Sequence, residues 1–276
     1  MRVCKRYEFD HGIKGFTLGW SLAGPPLMAV FFYVFDRVMI DTGQSRMAGE
    51  SLAIARRHRV DRVFLTHHHE DHSGNGALIH NALGAEIFGH GLTREKLKKP
   101  YKILPYQHYV WGTTTPVEVS PLPEFLETSL GRMIPIHTPG HSLDHLVYYL
   151  PEKGVVFSGD LYLGDRIRYF RADEDMGTQI DSLKKVLALD FHMLLCSHNP
   201  RESRGREHLQ TKLNFLETLY GSTIELWKKG VPEKEIFKTL GLKEDYFIKY
   251  FCCGNVSLIN GVRSAVRHYE ACRKQN

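Results

Sequence analysis

The chain has 276 residues, 42% of them hydrophobic and 24% charged, which excludes a disordered, collagenous or fibrous protein and leaves room for one large core or a core with an appendage. Its formal net charge of +5, with sixteen histidines outside that count, permits an anionic small molecule or a nucleic acid as partner and demands neither. Five cysteines, an odd number with no Cys-x-x-Cys spacing, read as reduced thiols of a cytoplasmic protein.

The first ten residues include Lys5, Arg6 and Glu8 and lack the basic-then-apolar pattern of a signal peptide. The most apolar stretch, 25–35, is too short to span a bilayer and is closed by Asp36-Arg37, so no membrane partner is expected. Short runs rich in β-branched and aromatic residues predict strands over 28–35, 37–40, 63–66, 85–89, 133–137, 145–150, 155–158 and 193–197. Helices are predicted over 47–58, 75–83 and 178–189, the last with Ile180, Leu183, Val186 and Leu187 at helical spacing. Strands and helices alternate and several strands are neighbours in sequence, an α/β pattern of mixed sheets covered by helices.

After Asn199 the character changes. A charged junction over 201–207 leads to Leu209, Leu213, Leu216, Tyr220, Ile224 and Trp227 on one helical face. Further helices are predicted over 232–240, with Pro232 as an early residue and Gly241 as stop, and over 256–273, with Asn255 as cap. A first domain over 1–205 and a helical C-terminal subdomain over 206–276 are therefore expected.

The most informative run is Thr66-His67-His68-His69-Glu70-Asp71-His72, which follows the apolar segment Val63-Phe64-Leu65. An exposed histidine tract would not follow a buried strand and lead through Ser73-Gly74 into a helix. A strand that ends in a turn aims alternate side chains at one point, and imidazoles with a carboxylate suit zinc, iron or manganese. Three isolated ligand-type residues stand at the ends of other predicted strands: His141 in Thr138-Pro139-Gly140-His141, Asp160 in Ser158-Gly159-Asp160, and His198 in Cys196-Ser197-His198. Each alone is weak, since Gly-His and Gly-Asp also occur in ordinary turns.

Taken in order with Ile40-Asp41-Thr42-Gly43, these motifs make the chain resemble the metallo-β-lactamase-fold hydrolases from about residue 31 to 198. The resemblance implies a four-layer αβ/βα sandwich of two mixed β-sheets. It also implies two divalent metal ions, zinc first with iron or manganese as alternatives. His67, His69 and His141 would hold one ion, Asp71, His72 and His198 the other, and Asp160 would bridge them; Asp71 is also assigned a catalytic part. Two such ions roughly 3.5–4 Å apart bring the pKa of a bound water near ~7, so that a metal-bound hydroxide can attack a carbonyl carbon or a phosphorus.

Position 69 discriminates within the fold: flavodiiron relatives usually carry Glu where His69 stands. Persulfide dioxygenase relatives share the His-rich run with a single iron, but the complete set Asp71, His72 and His198 favours a dinuclear hydrolase. Asp41 is expected to support the metal-binding loop through hydrogen bonds, whereas His68 and Glu70 should point away from the metals and receive no role. Ser197, where Gly is usual, and Asn75, where a second Gly often follows Ser73-Gly74, depart from the family pattern beside the site without removing a ligand.

Substrate class is less legible. Asp144-His145 and the C-terminal helices resemble the β-lactamase-like endoribonucleases, and glyoxalase II has a similar motif set. Acyl-homoserine lactonases use a Tyr close after the bridging Asp, where Tyr162 stands only two residues on. Arg166, Arg168 and Arg171, interleaved with Tyr169 and Phe170, suit an anion and a stacked ring, or else a solvated loop with a buried Phe. Lys96, Lys98 and Lys99 read as charged surface. The leading expectation is hydrolysis of a small-molecule ester, thioester or lactone, with an anionic substrate permitted. The alternatives are a nuclease or phosphodiesterase acting on RNA or another phosphodiester, with nucleic acid not favoured, and a non-catalytic metal-binding interaction module. Oligomeric state is left open.

Overall fold

In the computed structural model, which describes residues 1–275, two sheets pack face to face between layers of helices. The first sheet holds β1 (Arg2–Glu8), β2 (Lys14–Trp20), β3 (Ala29–Phe35), β4 (Val38–Ile40), β5 (Arg62–Phe64), β6 (Glu86–Gly89) and β7 (Ser120–Pro121) in that order. Pairing is antiparallel from β1 to β4 and parallel from β4 to β7. In the second sheet, β8 (Leu126–Thr128), β9 (Gly131–His137), β10 (Leu146–Leu150) and β11 (Val155–Gly159) run antiparallel. A parallel β13 (Met193–Cys196) closes that sheet beside β11, and β12 (Phe170–Arg171) pairs apart with β14 (Val256–Ser257).

The helices are α1 (Ala48–Arg57), α2 (Glu70–Ser73), α3 (Gly76–Leu83), α4 (Gly91–Leu97), α5 (Pro105–Val110), α6 (Met176–Leu187), α7 (Gly205–Lys228), α8 (Glu233–Thr239), α9 (Tyr246–Phe251) and α10 (Ile259–Gln275). Strand alternation decides the layering, because successive side chains leave a strand on opposite faces. On β3, Phe31, Tyr33 and Phe35 enter the core between the sheets with Leu146, Tyr148 and Leu150 of β10. Phe32 and Val34 turn outward under residues of α1 and α3, while Val147 and Tyr149 turn outward under α6, α7 and α10. The result is the expected four-layer αβ/βα sandwich. Each fully buried Phe or Leu of these layers contributes about 1.5–3 kcal/mol.

Several local expectations need correction. The N-terminal hairpin β1–β2 went unread because β1 is an exposed edge strand with little apolar alternation and β2 contains Gly15 and Gly19. Helices α4 and α5 likewise lie in a stretch with no clear period. The predicted helix over 256–273 starts at Ile259, since Val256 and Ser257 pair with Arg171 and Phe170. Asn255 accepts a hydrogen bond from the Tyr106 hydroxyl at 2.6 Å, and Pro232 is the N-cap residue before α8. Helix α7 buries Leu209, Leu213, Leu216 and Ile224 in the same cluster as α6 and the outer face of the second sheet. No helix among the described residues is long and apolar enough to cross a membrane.

Candidate metal centre

The motif-bearing loops meet at one edge of the sandwich. His67 and His69 follow β5, Asp71 and His72 sit on the single turn of α2, His141 lies between β9 and β10, Asp160 directly follows β11, and His198 lies just past β13. Glycine precedes two of these residues for a steric reason. Gly140 has φ 132° and a side chain there would meet the Gln179 backbone at 2.5 Å; Gly159 has φ 47° and would meet His145 at 2.7 Å and Thr66 at 2.9 Å.

The donor atoms form two adjacent groups. In one, Nδ1 of His69 lies 2.8 Å from Nε2 of His67 and 3.1 Å from Nε2 of His141. In the other, Nε2 of His72 is 3.5 Å from Asp71 and 3.4 Å from Asp160, and Nε2 of His198 is 3.5 Å from each carboxylate. Asp160 reaches both groups, with Oδ1 toward His72 and His198 and Oδ2 3.4 Å from Nε2 of His141. All seven sequence-predicted site residues are thus brought together, six of them buried and His198 nearly so.

The rear atoms of the imidazoles are held in place. Nδ1 of His72 donates to Asp41 at 2.7 Å, Nδ1 of His141 to Glu174 at 2.8 Å, and Nδ1 of His198 to the Ala29 carbonyl at 2.9 Å, while Nδ1 of His67 faces the Thr66 hydroxyl at 3.1 Å. Asp41 also accepts from the Thr66 N–H at 2.7 Å and its hydroxyl at 2.8 Å, from a left-handed backbone at φ 61°. Asp41 thereby ties Thr66 and His72 together through three hydrogen bonds.

These bonds leave lone pairs aimed at one another, a costly arrangement without a cation between them. Nε2 of His72 and Oδ1 of Asp160 are buried with no hydrogen-bond partner. Burial, then the positive neighbours His72 for His67 and Arg171 for His69, hold these two imidazoles well below their usual range. Around His72 burial opposes the charge, but Asp71, Asp41 and Asp160 outweigh it and hold the imidazole well above its usual range. At His198, Asp160 and Asp71 outweigh burial in the same way and push the pKa up to about 10. Burial likewise opposes ionisation of Asp160 and Asp71, and chiefly His72 reverses it, so both carboxyls lie below their usual range. Five imidazoles and two carboxylates so placed fit two borderline divalent ions.

His68 and Glu70 point away as expected, but His68 is structurally engaged. Its N–H and Nδ1 bond Asp144 at 2.9 and 3.0 Å, and Asp144 also accepts from Thr93 at 2.6 Å. Burial works against the Asp144 charge, and the bonds from His68 and Thr93 overcome it and hold the carboxyl well below its usual range. His145 accepts the Asp160 N–H on Nε2 at 3.0 Å, with Nδ1 on the Thr138 hydroxyl at 2.9 Å. Asn75 ties α3 to the Asp41 loop through its amide, which donates to the Thr42, Gly43 and Gln44 carbonyls at 2.9–3.0 Å, so the departure from Gly has a structural use.

The residues considered for substrate separate. Arg166 and Arg168 are exposed and Phe170 is buried in the core, as a solvated loop requires. Arg171 leaves the ribbon on the face opposite Phe170, is only 19% exposed, and pairs with Asp173 at 3.1 Å. Tyr162 is fully buried, its hydroxyl bonded to Asp165 at 2.6 Å and to Arg201 at 3.1 Å, so it does not face the site. Lys96, Lys98 and Lys99 are exposed. Glu174 was not anticipated: nothing in its spacing marks it, and only packing brings it behind His141.

The sequence pattern of the metallo-beta-lactamase superfamily matches residues 28–198. Among characterised relatives, a hydroxyacylglutathione hydrolase of Bartonella henselae is 30% identical over 206 residues, covering 74% of this chain and 67% of that protein. An atrochrysone carboxyl ACP thioesterase of Aspergillus fumigatus is 30% identical over 183 residues, covering 65% of this chain and 52% of that protein. The chain thus spans about half to two thirds of the length of these relatives. In structure it is similar to a metallo-beta-lactamase family protein from Thermus thermophilus, with TM-score 0.61 at 17% identity over 99% of this chain and 93% of that one. A metallo-beta-lactamase from Erythrobacter litoralis gives TM-score 0.57 at 19% identity over 79% of this chain and 100% of that one.

Proposed function

Because the chain belongs to the metallo-beta-lactamase superfamily, we propose that it is a dinuclear metal-dependent hydrolase of a small-molecule ester, thioester or lactone. The observation that carries this reading is the meeting of seven buried or nearly buried donors in two adjacent groups with Asp160 reaching both. His67, His69 and His141 are assigned to one divalent ion, Asp71, His72 and His198 to the second, and Asp160 to both, with zinc the favoured metal. When bound, such ions polarise a carbonyl and lower the pKa of a water to about 7.

The residues of the chain do the rest. Asp41, Glu174, Thr66 and the Ala29 carbonyl hold the imidazoles in one orientation, which removes reorganisation from the reacting state. Asp71, kept ionised chiefly by His72 against its burial, is assigned to accept the proton of the attacking water at its carboxylate. Arg171 is assigned to an anionic group of the substrate at the mouth. The helices over 206–276 are assigned as a subdomain that backs the second sheet and builds part of that mouth. The relatives named as thioester-type hydrolases support a thioester as the first substrate class to try.

The test is metal analysis of the purified protein together with thioester, lactone and phosphodiester reporters. About two divalent ions per chain and thioester or lactone turnover that falls at least ~100-fold in Asp160→Asn and His69→Ala are expected. Cleavage of RNA alone, with binding that weakens steeply as salt rises, would replace this reading by the nuclease. Metal uptake without turnover of any reporter would replace it by the binding module.

A further inference from the structure

The C-terminal helix α10 has no ligand among its residues, yet it bonds repeatedly to one short segment beside the metal centre. Asn260 donates to the Phe170 carbonyl at 3.2 Å, and Arg267 donates to the Ala172 and Glu174 carbonyls at 3.0 and 3.1 Å. Ser264 donates to the Glu174 carbonyl at 2.7 Å and accepts from the Met176 N–H at 2.8 Å. His268 faces Asp175 at 2.8 Å. Just before the helix, the β12–β14 ribbon and the bond from Ala172 N–H to the Asn255 carbonyl, 2.8 Å, tie down the other end of the segment.

What this segment presents to the centre is Glu174. Its side chain is buried, with one oxygen accepting from Nδ1 of His141 at 2.8 Å and the other from the Gln179 amide at 2.9 Å. The next residue, Asp175, donates its N–H to the Gly140 carbonyl at 2.8 Å. The backbone before His141 and the rear nitrogen of its ring are therefore both held by residues 174 and 175, and these are held by α10. Between the buried Phe170 and Met176, residues 171–175 put no apolar side chain into the core and would otherwise be free to shift by the fraction of an ångström that misaims an imidazole.

We propose that α10 positions the metal ligand His141 through Glu174: Arg267 and Ser264 fix the Glu174 backbone, and the Glu174 carboxylate fixes the imidazole. Glu174, Ser264 and Arg267 are positioning residues, and the role rests on His141 being a ligand as assigned above. In this arrangement the C-terminal helices set the affinity of the His67–His69–His141 site, in addition to backing the sheet. The second site takes its support from Asp41 and the Ala29 carbonyl, none of it from α10, so the two sites should respond differently.

The test is Co²⁺ titration of metal-free protein, followed by visible absorption, with thermal unfolding recorded on the same samples. Glu174→Ala is expected to weaken one of two ions by about 10–100-fold, the usual effect of removing a ligand's hydrogen-bond partner, and to leave the other near wild type. Glu174→Gln, which keeps an acceptor, should recover most of that loss. Arg267→Ala and Ser264→Ala touch no ligand, and each should weaken the same ion by a smaller factor; exposed Arg267 keeps the test available if Glu174→Ala does not fold. The proposal is overturned if Arg267→Ala and Ser264→Ala lower the unfolding midpoint while both ions titrate as in wild type, which marks α10 as packing alone. It is also overturned if both ions weaken equally. A wild-type chain that takes up no Co²⁺ overturns the metal assignment and this role together, whereas normal wild-type uptake with an unchanged Glu174→Ala overturns only this role.

Discussion

At the scale of single residues, the centre divides by charge. Burial holds His67 and His69 below the usual imidazole range, while the surrounding carboxylates hold His72 above it and push His198 up to about 10, so that His198 is protonated at neutral pH. A cation entering the second group must displace the His198 proton. Its affinity should therefore climb with pH up to about 10, the range in which His198 titrates, and calorimetry in buffers of different ionisation heat should show proton release on uptake. Asp144 makes a separate prediction. Its carboxyl is depressed in the fold, so its contribution is present above the unfolded carboxyl range and is lost as pH falls through the lower folded value. Asp144→Ala leaves the buried Thr93 hydroxyl and the His68 N–H unpaired, and urea unfolding at pH 7 should show a loss of about 1–3 kcal/mol for each such group. Lys212 behaves oppositely to a paired lysine: burial brings it down to about 8 while Glu174 and Asp160 oppose that fall, and its ammonium donates to the Leu161 carbonyl. The unfolded chain holds that proton to higher pH, so stability should rise by about 3 kcal/mol between pH 8 and 10.5. Lys212→Met should flatten that rise in urea titrations across the range.

At the scale of elements, the approach of α6 and α10 depends on two glycines. A side chain at Gly177 would meet the His268 ring at 2.2 Å, and one at Gly261 would meet Phe170 at 2.9 Å and Met176 at 3.3 Å. The Gly261 contacts are not with a chain end free to swing aside, since Phe170 and Met176 are fully buried. Gly261→Val should cost about 1–3 kcal/mol by overpacking, read as a lower urea midpoint at unchanged slope. Element prediction from sequence succeeded where burial imposed a period, as on β3, β10 and α6, and failed where it did not. The edge strand β1 is exposed along nearly its whole length, so solvent relaxes the alternation that marks a strand. The start of α10 was misplaced because Val256 and Ser257 take their conformation from pairing with residues 170 and 171, partners far away in sequence.

At the scale of the whole molecule, the two sheets bring the loops after β5, β9, β11 and β13 to one edge, and bound ions there would link both halves of the sandwich. Chelation should lower the unfolding temperature and added Zn²⁺ should restore it, by about 2.7 kcal/mol at a hundred times the dissociation constant; differential scanning fluorimetry would read it. The seven donors proposed as ligands were named in the sequence from their motifs, and the resemblance those motifs carry implied the four-layer order. The donors His67, His69, Asp71 and His72 lie within one strand-to-turn step, and strand faces repeat every second residue, so the motif and the strands leave local marks. The support of His141 by Glu174, the turn of Tyr162 away from the site, the separation of Arg171 from Arg166 and Arg168, and the hold of α10 on residues 170–176 were decided only by tertiary structure. Each depends on where a distant element packs, and a hydrogen bond between residues tens of positions apart puts no period or spacing into the chain.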